Sequence, residues 1–178
     1  MTLNDILTAA LAQLDRGQDP QTVAAFGKRL TGYANDAQND LARAMGFCRT
    51  DTVQPTEGII DCADLPRNCI KVLKTVQLGR EVRFARAESG RIALPYDEPA
   101  EVTYQCEPRR LSLPADVSEL PPTAHGLIVG YVVARERMAG DPASQRGANV
   151  YLSMYEAAKA KLRPHVGDAE SYKLINRY

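Results

Sequence analysis

The sequence predicts an α+β protein, mainly α. A four-helix core of two antiparallel helical pairs carries a small antiparallel β-sheet inserted between helices 2 and 3, and an extended C-terminal tail follows. Three observations carry this reading. Apolar residues recur at three- and four-residue spacing at both ends of the chain, and the period falls to two in between. The apolar content, 44% of 178 residues, leans on alanine, with 6% aromatics and no Trp, which suits closely packed helices. The corresponding segments are 1–50 (helical pair), 51–113 (β module), 114–163 (second pair, sharing one core with 1–50) and 164–178 (tail).

The first helix has Leu3, Ile6, Leu7, Ala10, Leu11 and Leu14 on one stripe, with Thr2 as N-cap, Asp5 three residues on, and Gly17 as the stop. Asp19-Pro20 restarts a helix, an acid cap followed by proline at the first helical position. Its apolar positions are Val23, Phe26, Leu30, Tyr33, Ala37, Leu41 and Met45, and Gly46 ends it.

Between 51 and 113 apolar residues alternate with polar ones. The sets are Ile70, Val72, Val76 and Leu78, then Val82 and Phe84, then Ile92 and Leu94, then Val102, Tyr104 and Cys106. Gly79-Arg80 and Ser89-Gly90 mark hairpin tips, and Ile59-Ile60 adds a short strand. After Pro121-Pro122 a helix over about 123–138 is apolar nearly all round and should be the most buried. Gly140-Asp141-Pro142 repeats the stop-and-start signal. The last helix, about 143–162, presents Val150, Tyr151, Met154, Tyr155, Ala158 and Leu162 inward, and Pro164 breaks it. The tail is polar with sparse apolar anchors.

Basic and acidic residues number 22 each. Tight phosphate binding usually needs a clear basic excess, and none exists overall. The charge is unevenly laid out, however. Residues 67–91 hold seven basic side chains against two acidic, and 92–120 hold six acidic against two basic. Lys71, Lys74, Arg80, Arg83 and Arg86 on one side, and Asp97, Glu98 and Glu101 on the other, are candidate subunit-interface charges. The plainer reading of the same charges is solvated strand faces; the sharper one is a basic side that meets a neighbour's acidic side.

Catalysis finds little to use. The only histidines are His125, at the start of a buried helix, and His165, near the tail. No nucleophile elbow, zinc-protease or P-loop motif is present. Cys48, Cys62, Cys69 and Cys106 form no C-x-x-C pair or metal-ligand spacing, and reduced thiols are the expectation. Asp61, Asp64, Asp97 and Glu98 could in principle hold a cation, but they lie beside prolines in loops. No secretory signal or membrane span is visible. The expectation is a protein with no catalytic residues, no metal and no cofactor.

From the sheet onward the chain resembles the head–tail connector, or adaptor, proteins of tailed bacteriophages. The residues that carry the likeness are EVTYQCEPRRLSLPADVSELPPTAHGLIVGYVVARERMAGDP and then ANVYLSMYEAAKAKL. Tyr104 and Pro108 match an aromatic-then-proline strand end, and Asp116, Leu120 and Pro121 match an acid before a Leu-Pro step. An apolar helix, an Asp/Pro turn and a long last helix follow. About 110 residues are covered by motif and the rest by order of elements; the Leu-Pro and Asp-Pro steps are common in turns generally. The resemblance implies a homo-oligomeric ring of about twelve subunits in the neck of a virion assembled in the bacterial cytoplasm. Portal protein would lie above it and the tail, or the next neck protein, below. Double-stranded DNA would pass through its channel without sequence-specific contacts, and no membrane is involved. It also implies that the C-terminal segment docks on portal, with Arg163, Tyr172, Leu174, Ile175 and Tyr178 as the candidate residues. Two alternatives stay open: another neck or tail-completion protein stacked below the adaptor, or a DNA-binding packaging or regulatory factor using the basic stretch KVLKTVQLGREVRFAR as a ribbon.

Overall fold

The computed structural model describes residues 1–87, 90–140 and 142–162. The described chain divides into two compact units: Met1–Met45 together with residues 107–162, and Gly46–Cys106.

The first unit holds four helices: α1 (Leu3–Gln13), α2 (Pro20–Met45), α3 (Pro122–Met138) and α4 (Pro142–Lys159). The expected caps form. Thr2 Oγ1 accepts from Asp5 N–H, Asp5 accepts in return from Thr2 N–H, and Asp19 accepts from the N–H groups of Gln21 and Thr22. The α1 stop differs from expectation. The helix ends at Gln13, and Asp15 takes φ +54° four residues after Leu11, so Gly17 lies beyond the stop. Gly46, at φ +63°, does end α2 as expected.

The all-round apolar character of α3 has the predicted consequence, since α3 packs against α1, α2 and α4. Ile128, Val132, Val133 and Ala134 are fully enclosed. The surprise on α3 is Glu136, only 2% exposed. Arg29 of α2 grips it through one guanidinium edge, Nε donating to Oε2 at 2.8 Å and Nη2 to Oε1, and Arg16 from the α1–α2 connection stands 3.2 Å away. Arg16 also stacks on Phe26, 3.9 Å from the ring centre. A buried carboxylate is tolerable only when paired and hydrogen-bonded, and here the partners come from two different segments.

On α4 the expected inner face is half right. Tyr155 is buried, and its hydroxyl donates to Asp40 of α2, which Lys159 also reaches at 2.8 Å. Val150 and Met154 are 59% and 64% exposed. They lie four residues apart on a stripe that no described helix covers, whereas Ala148 and Tyr155 are buried.

The link from Glu107 to Pro121 has little regular structure and is held by side chains. Asn35, buried on the apolar face of α2, donates to Leu111 C=O (2.9 Å) and accepts from Leu111 N–H (2.8 Å), so one amide satisfies both backbone groups of a buried residue. Gln38, one turn on, accepts from Ser118 Oγ at 2.7 Å. Asp116 closes a turn by accepting from the N–H groups of Ser112 and Leu113. The chain start then lies along this link, with Leu3 N–H on Asp116 C=O and Ser118 N–H on Met1 C=O.

The second unit is two small antiparallel sheets where one was expected. The larger has the order β1 (Cys48–Val53), β7 (Ala100–Cys106), β3 (Cys69–Gln77), β4 (Arg80–Val82). The smaller has β2 (Ile59–Asp61), β6 (Arg91–Ala93) and β5 (Ala85–Arg86), and a 3-10 turn over Cys62–Asp64 leads from β2 toward β3. β1 was not expected, because CRTDTV carries one large apolar residue; its register opposite β7 forms it, with Thr50 and Thr103 hydroxyls 2.8 Å apart.

The alternation read along β3 is broken by two bulges. Cys69 faces Cys106 but Lys71 faces Gln105, and Val72 faces Tyr104 but Lys74 faces Thr103, so Ile70 and Leu73 are extra residues. The core face of β3 is therefore Cys69, Val72, Thr75 and Gln77, opposite Cys106, Tyr104, Val102 and Ala100. Ile70 and Leu78, expected inside, are exposed. Thr75 and Gln77 are buried in their place, with Thr75 Oγ1 donating to Val82 C=O and Gln77 Nε2 to the carbonyls of Tyr96 and Glu98.

Replacing Asn35 by Ala strands both backbone groups of Leu111 away from water. The unfolding free energy should fall by roughly 2–4 kcal/mol in denaturant titration. A loss below about 0.5 kcal/mol would mean that the link rehydrates and the amide is dispensable.

Candidate assembly surface

The charges singled out from sequence are all surface residues of the second unit. Lys71 and Lys74 lie on β3, Arg80 opens β4, Arg86 closes β5, and Arg83 lies between those two strands. Asp97 and Glu98 lie in the β6–β7 loop, and Glu101 is on β7. All eight are exposed. Lys74 meets Glu81 at 3.4 Å across the β3–β4 hairpin, and Asp97 accepts from Gly58 N–H at 3.1 Å. The Asp97 contact is structural. Gly58, at φ +72°, lies so close to Leu94 C=O that a Cβ would sit 3.0 Å from it. Gln54 and Gln77 hold the same loop through its carbonyls.

The bulges add an apolar component. Ile70 and Leu73 stand outward, each directly before a lysine, 44% and 47% exposed. The hairpin tip adds a third such residue. Leu78 and Gly79 join β3 to β4 in a two-residue turn with φ +52° and +71°. Such turns favour Asn or Asp followed by Gly, because an L side chain at positive φ is strained. Leu78 is strained and also 70% exposed, so it gains nothing from burial inside this chain.

Other candidates resolve into structural roles. Asp61 caps the 3-10 turn through Ala63 N–H and pairs with Arg91, leaving little for a cation. His125 Nε2 lies 2.9 Å from Leu120 C=O, and its Nδ1 lies 3.3 Å from the chain-start amine. Burial, then the nearby ammonium, lowers its pKa despite that carbonyl. Among the described residues no three His, Cys, Asp or Glu side chains are grouped to hold a metal ion, and no helix is long and apolar enough to cross a membrane. The basic stretch KVLKTVQLGREVRFAR does not form one ribbon: β3 and β4 belong to the larger sheet and β5 to the smaller. The tail candidates Arg163, Tyr172, Leu174, Ile175 and Tyr178, like His165, lie outside the described residues.

The residue that stabilises the larger sheet was not singled out for this role from sequence. Tyr104 is fully buried; its hydroxyl donates to Asp51 of β1 at 2.7 Å and accepts from the backbone N–H of Arg67. Arg49 reaches the same carboxylate at 3.0 Å. Asp51 in a polar CRTDTV segment gives no sequence signal, because its partner lies more than fifty residues away.

No protein-family model matches the chain, and no curated protein shows significant similarity to it.

Burial alone would raise the Asp51 carboxyl, but the Tyr104 hydroxyl and the Arg49 guanidinium outweigh it and hold it below the usual carboxylate range. A depressed carboxyl stabilises the fold fully above its unfolded pKa, and that contribution is lost as pH falls through the folded value. Tyr104→Phe should therefore cost about 1.5 kcal/mol near neutral pH. The gap to wild type should shrink in acid, as pH falls from the ordinary carboxylate range through the depressed folded value. A gap that stays constant through acid would assign the loss to packing instead of to Asp51.

Proposed function

We propose that the chain is a non-catalytic structural subunit of the ring-shaped head–tail adaptor of a tailed bacteriophage, docking on portal and forming part of the DNA channel. Support comes from the likeness to that family of the chain from the sheet onward and from the surface of the β unit. The observation that carries the reading is Leu78: an apolar side chain at the tip of a hairpin, at a backbone position that disfavours it, and 70% exposed. Strain kept at an exposed site points to a contact made with another chain. Exposed Ile70 and Leu73 set among Lys71, Lys74 and Arg80 extend the same surface, apolar anchors among charges, as in interfaces between subunits. The acidic set Asp97, Glu98 and Glu101 supplies the complementary partner that a head-to-tail ring requires on the neighbouring subunit.

Light scattering and negative-stain microscopy of the protein, alone and mixed with portal from the same genome, should reveal rings. A persistent monomer that ignores portal would remove the adaptor reading.

Leu78→Asn separates an interface residue from a structural one, because the two effects have opposite signs. Relief of the left-handed strain should stabilise the isolated subunit by about 1 kcal/mol. Ring formation or portal binding should weaken in the same variant. Unchanged association would show that Leu78 makes no contact between chains.

A further inference from the structure

Cys62 and Cys69 stand at the two ends of the segment that leads from β2 into β3, and they line the same cavity. Cys62 opens the 3-10 turn after β2, Cys69 opens β3, and their thiols hydrogen-bond to each other. Both line a cavity of about 580 Å³ whose wall also includes Lys71, Arg86, Arg91 and Gln105. Arg91 is paired with Asp61 at 3.2 Å, so Lys71 and Arg86 leave the cavity with a surplus of positive charge. Cys106, opposite Cys69 in the β3–β7 register, is buried behind them and does not line the cavity.

We propose that Cys62 and Cys69 form a redox-active dithiol whose cationic cavity accepts a small anionic disulfide of the glutathione class. Exchange begins at Cys62. Burial, and then the neighbouring Cys62, push the Cys69 thiol up to about 12, so Cys69 stays protonated and is the slower nucleophile. The Cys62 thiolate attacks one sulfur of the reagent, its S–S bond breaks, and one thiolate leaves and takes a proton from solvent. Cys69, losing its proton to solvent, then attacks the Cys62 sulfur and expels the second thiol. Two electrons pass from the protein dithiol to the reagent, and Cys62–Cys69 closes as a disulfide. The bond staples the segment between β2 and β3, whose Arg67 N–H donates to the Tyr104 hydroxyl. Oxidation therefore stiffens the β unit.

The test uses the reduced full-length chain with oxidised glutathione, followed by peptide mapping and mass spectrometry under non-reducing conditions. The expected product is the Cys62–Cys69 disulfide, with a higher thermal midpoint that reverts on reduction. Cys69→Ser should stop at a mixed disulfide on Cys62, and Cys62→Ser should react far more slowly. The cationic disulfide cystamine should react about fivefold more slowly than glutathione at low salt, the gap narrowing as salt rises. If wild type modifies Cys48 first, or forms no Cys62–Cys69 bond, the dithiol assignment fails. If cystamine reacts as fast as glutathione, the cavity does not select for anions and that half of the proposal fails. The peptide map on wild type decides the first point even if a variant folds poorly.

Discussion

Two inserted residues in one strand decide what the β unit shows to its surroundings. In a regular strand the side chains of β3 would alternate, and Ile70, Val72, Val76 and Leu78 would share a face. Each bulge adds a residue on β3 opposite β7 and returns the strand to the same face after three residues instead of two. The core side then reads Cys69, Val72, Thr75, Gln77, and two bulky apolar residues are turned out. Burying Thr75 and Gln77 is tolerable only because their donors find the carbonyls of Val82, Tyr96 and Glu98. Those bonds in turn hold the β4 edge and the acidic loop. The same shift that leaves Ile70 and Leu73 outside therefore helps to order Asp97 and Glu98.

The helical unit depends on a different device, polar side chains that substitute for absent regular structure. Fifteen residues of link separate the sheet from α3, and no ladder satisfies their backbone. Asn35, Gln38 and Asp116 do so one residue at a time, and the chain start adds backbone bonds from Leu3 and Ser118. Glu136 performs the analogous task between helices. It draws Arg29 and Arg16 to one buried point, and so defines how the α1–α2 connection lies on α3. An apolar helix such as α3 could slide or rotate against its neighbours at small cost. A single buried carboxylate with two fixed partners permits one arrangement.

Legibility in the sequence divides along the same lines. Elements governed by local rules were readable: the Thr2 and Asp19 caps, the start of α2 at Pro20, its end at Gly46, and the burial of α3. The mixed α+β class followed from the change in period. What was not readable depended on partners far along the chain. β1 exists because β7 pairs with it, and the bulges exist only relative to β7, so neither leaves a mark in a window of ten residues. Asn35 and Gln38 did leave one. Two amides three residues apart on the buried stripe of α2 signal bonds to something remote, although not which segment supplies them. For the candidate assembly surface, the charged residues were legible as candidates, and Ile70 and Leu78 were misplaced inside. Val150 and Met154 were misplaced for a similar reason, since helical spacing cannot say which of two apolar stripes is covered.

That misplacement bears on function. Along β3 and α4, apolar residues that periodicity assigns to a core are outside it, and Leu78 is outside it at a conformational cost. A single chain gains nothing from this arrangement: exposed Leu, Ile, Val and Met lower solubility, and a Leu at positive φ lowers stability. Zero net charge removes the repulsion that would otherwise keep such surfaces apart. The basic and acidic sets then restrict which surfaces can meet, because like sets repel and unlike sets attract. In the ring proposed above, apolar anchors would supply the association and charge its direction, and both are what a subunit needs if copies are to join in one orientation.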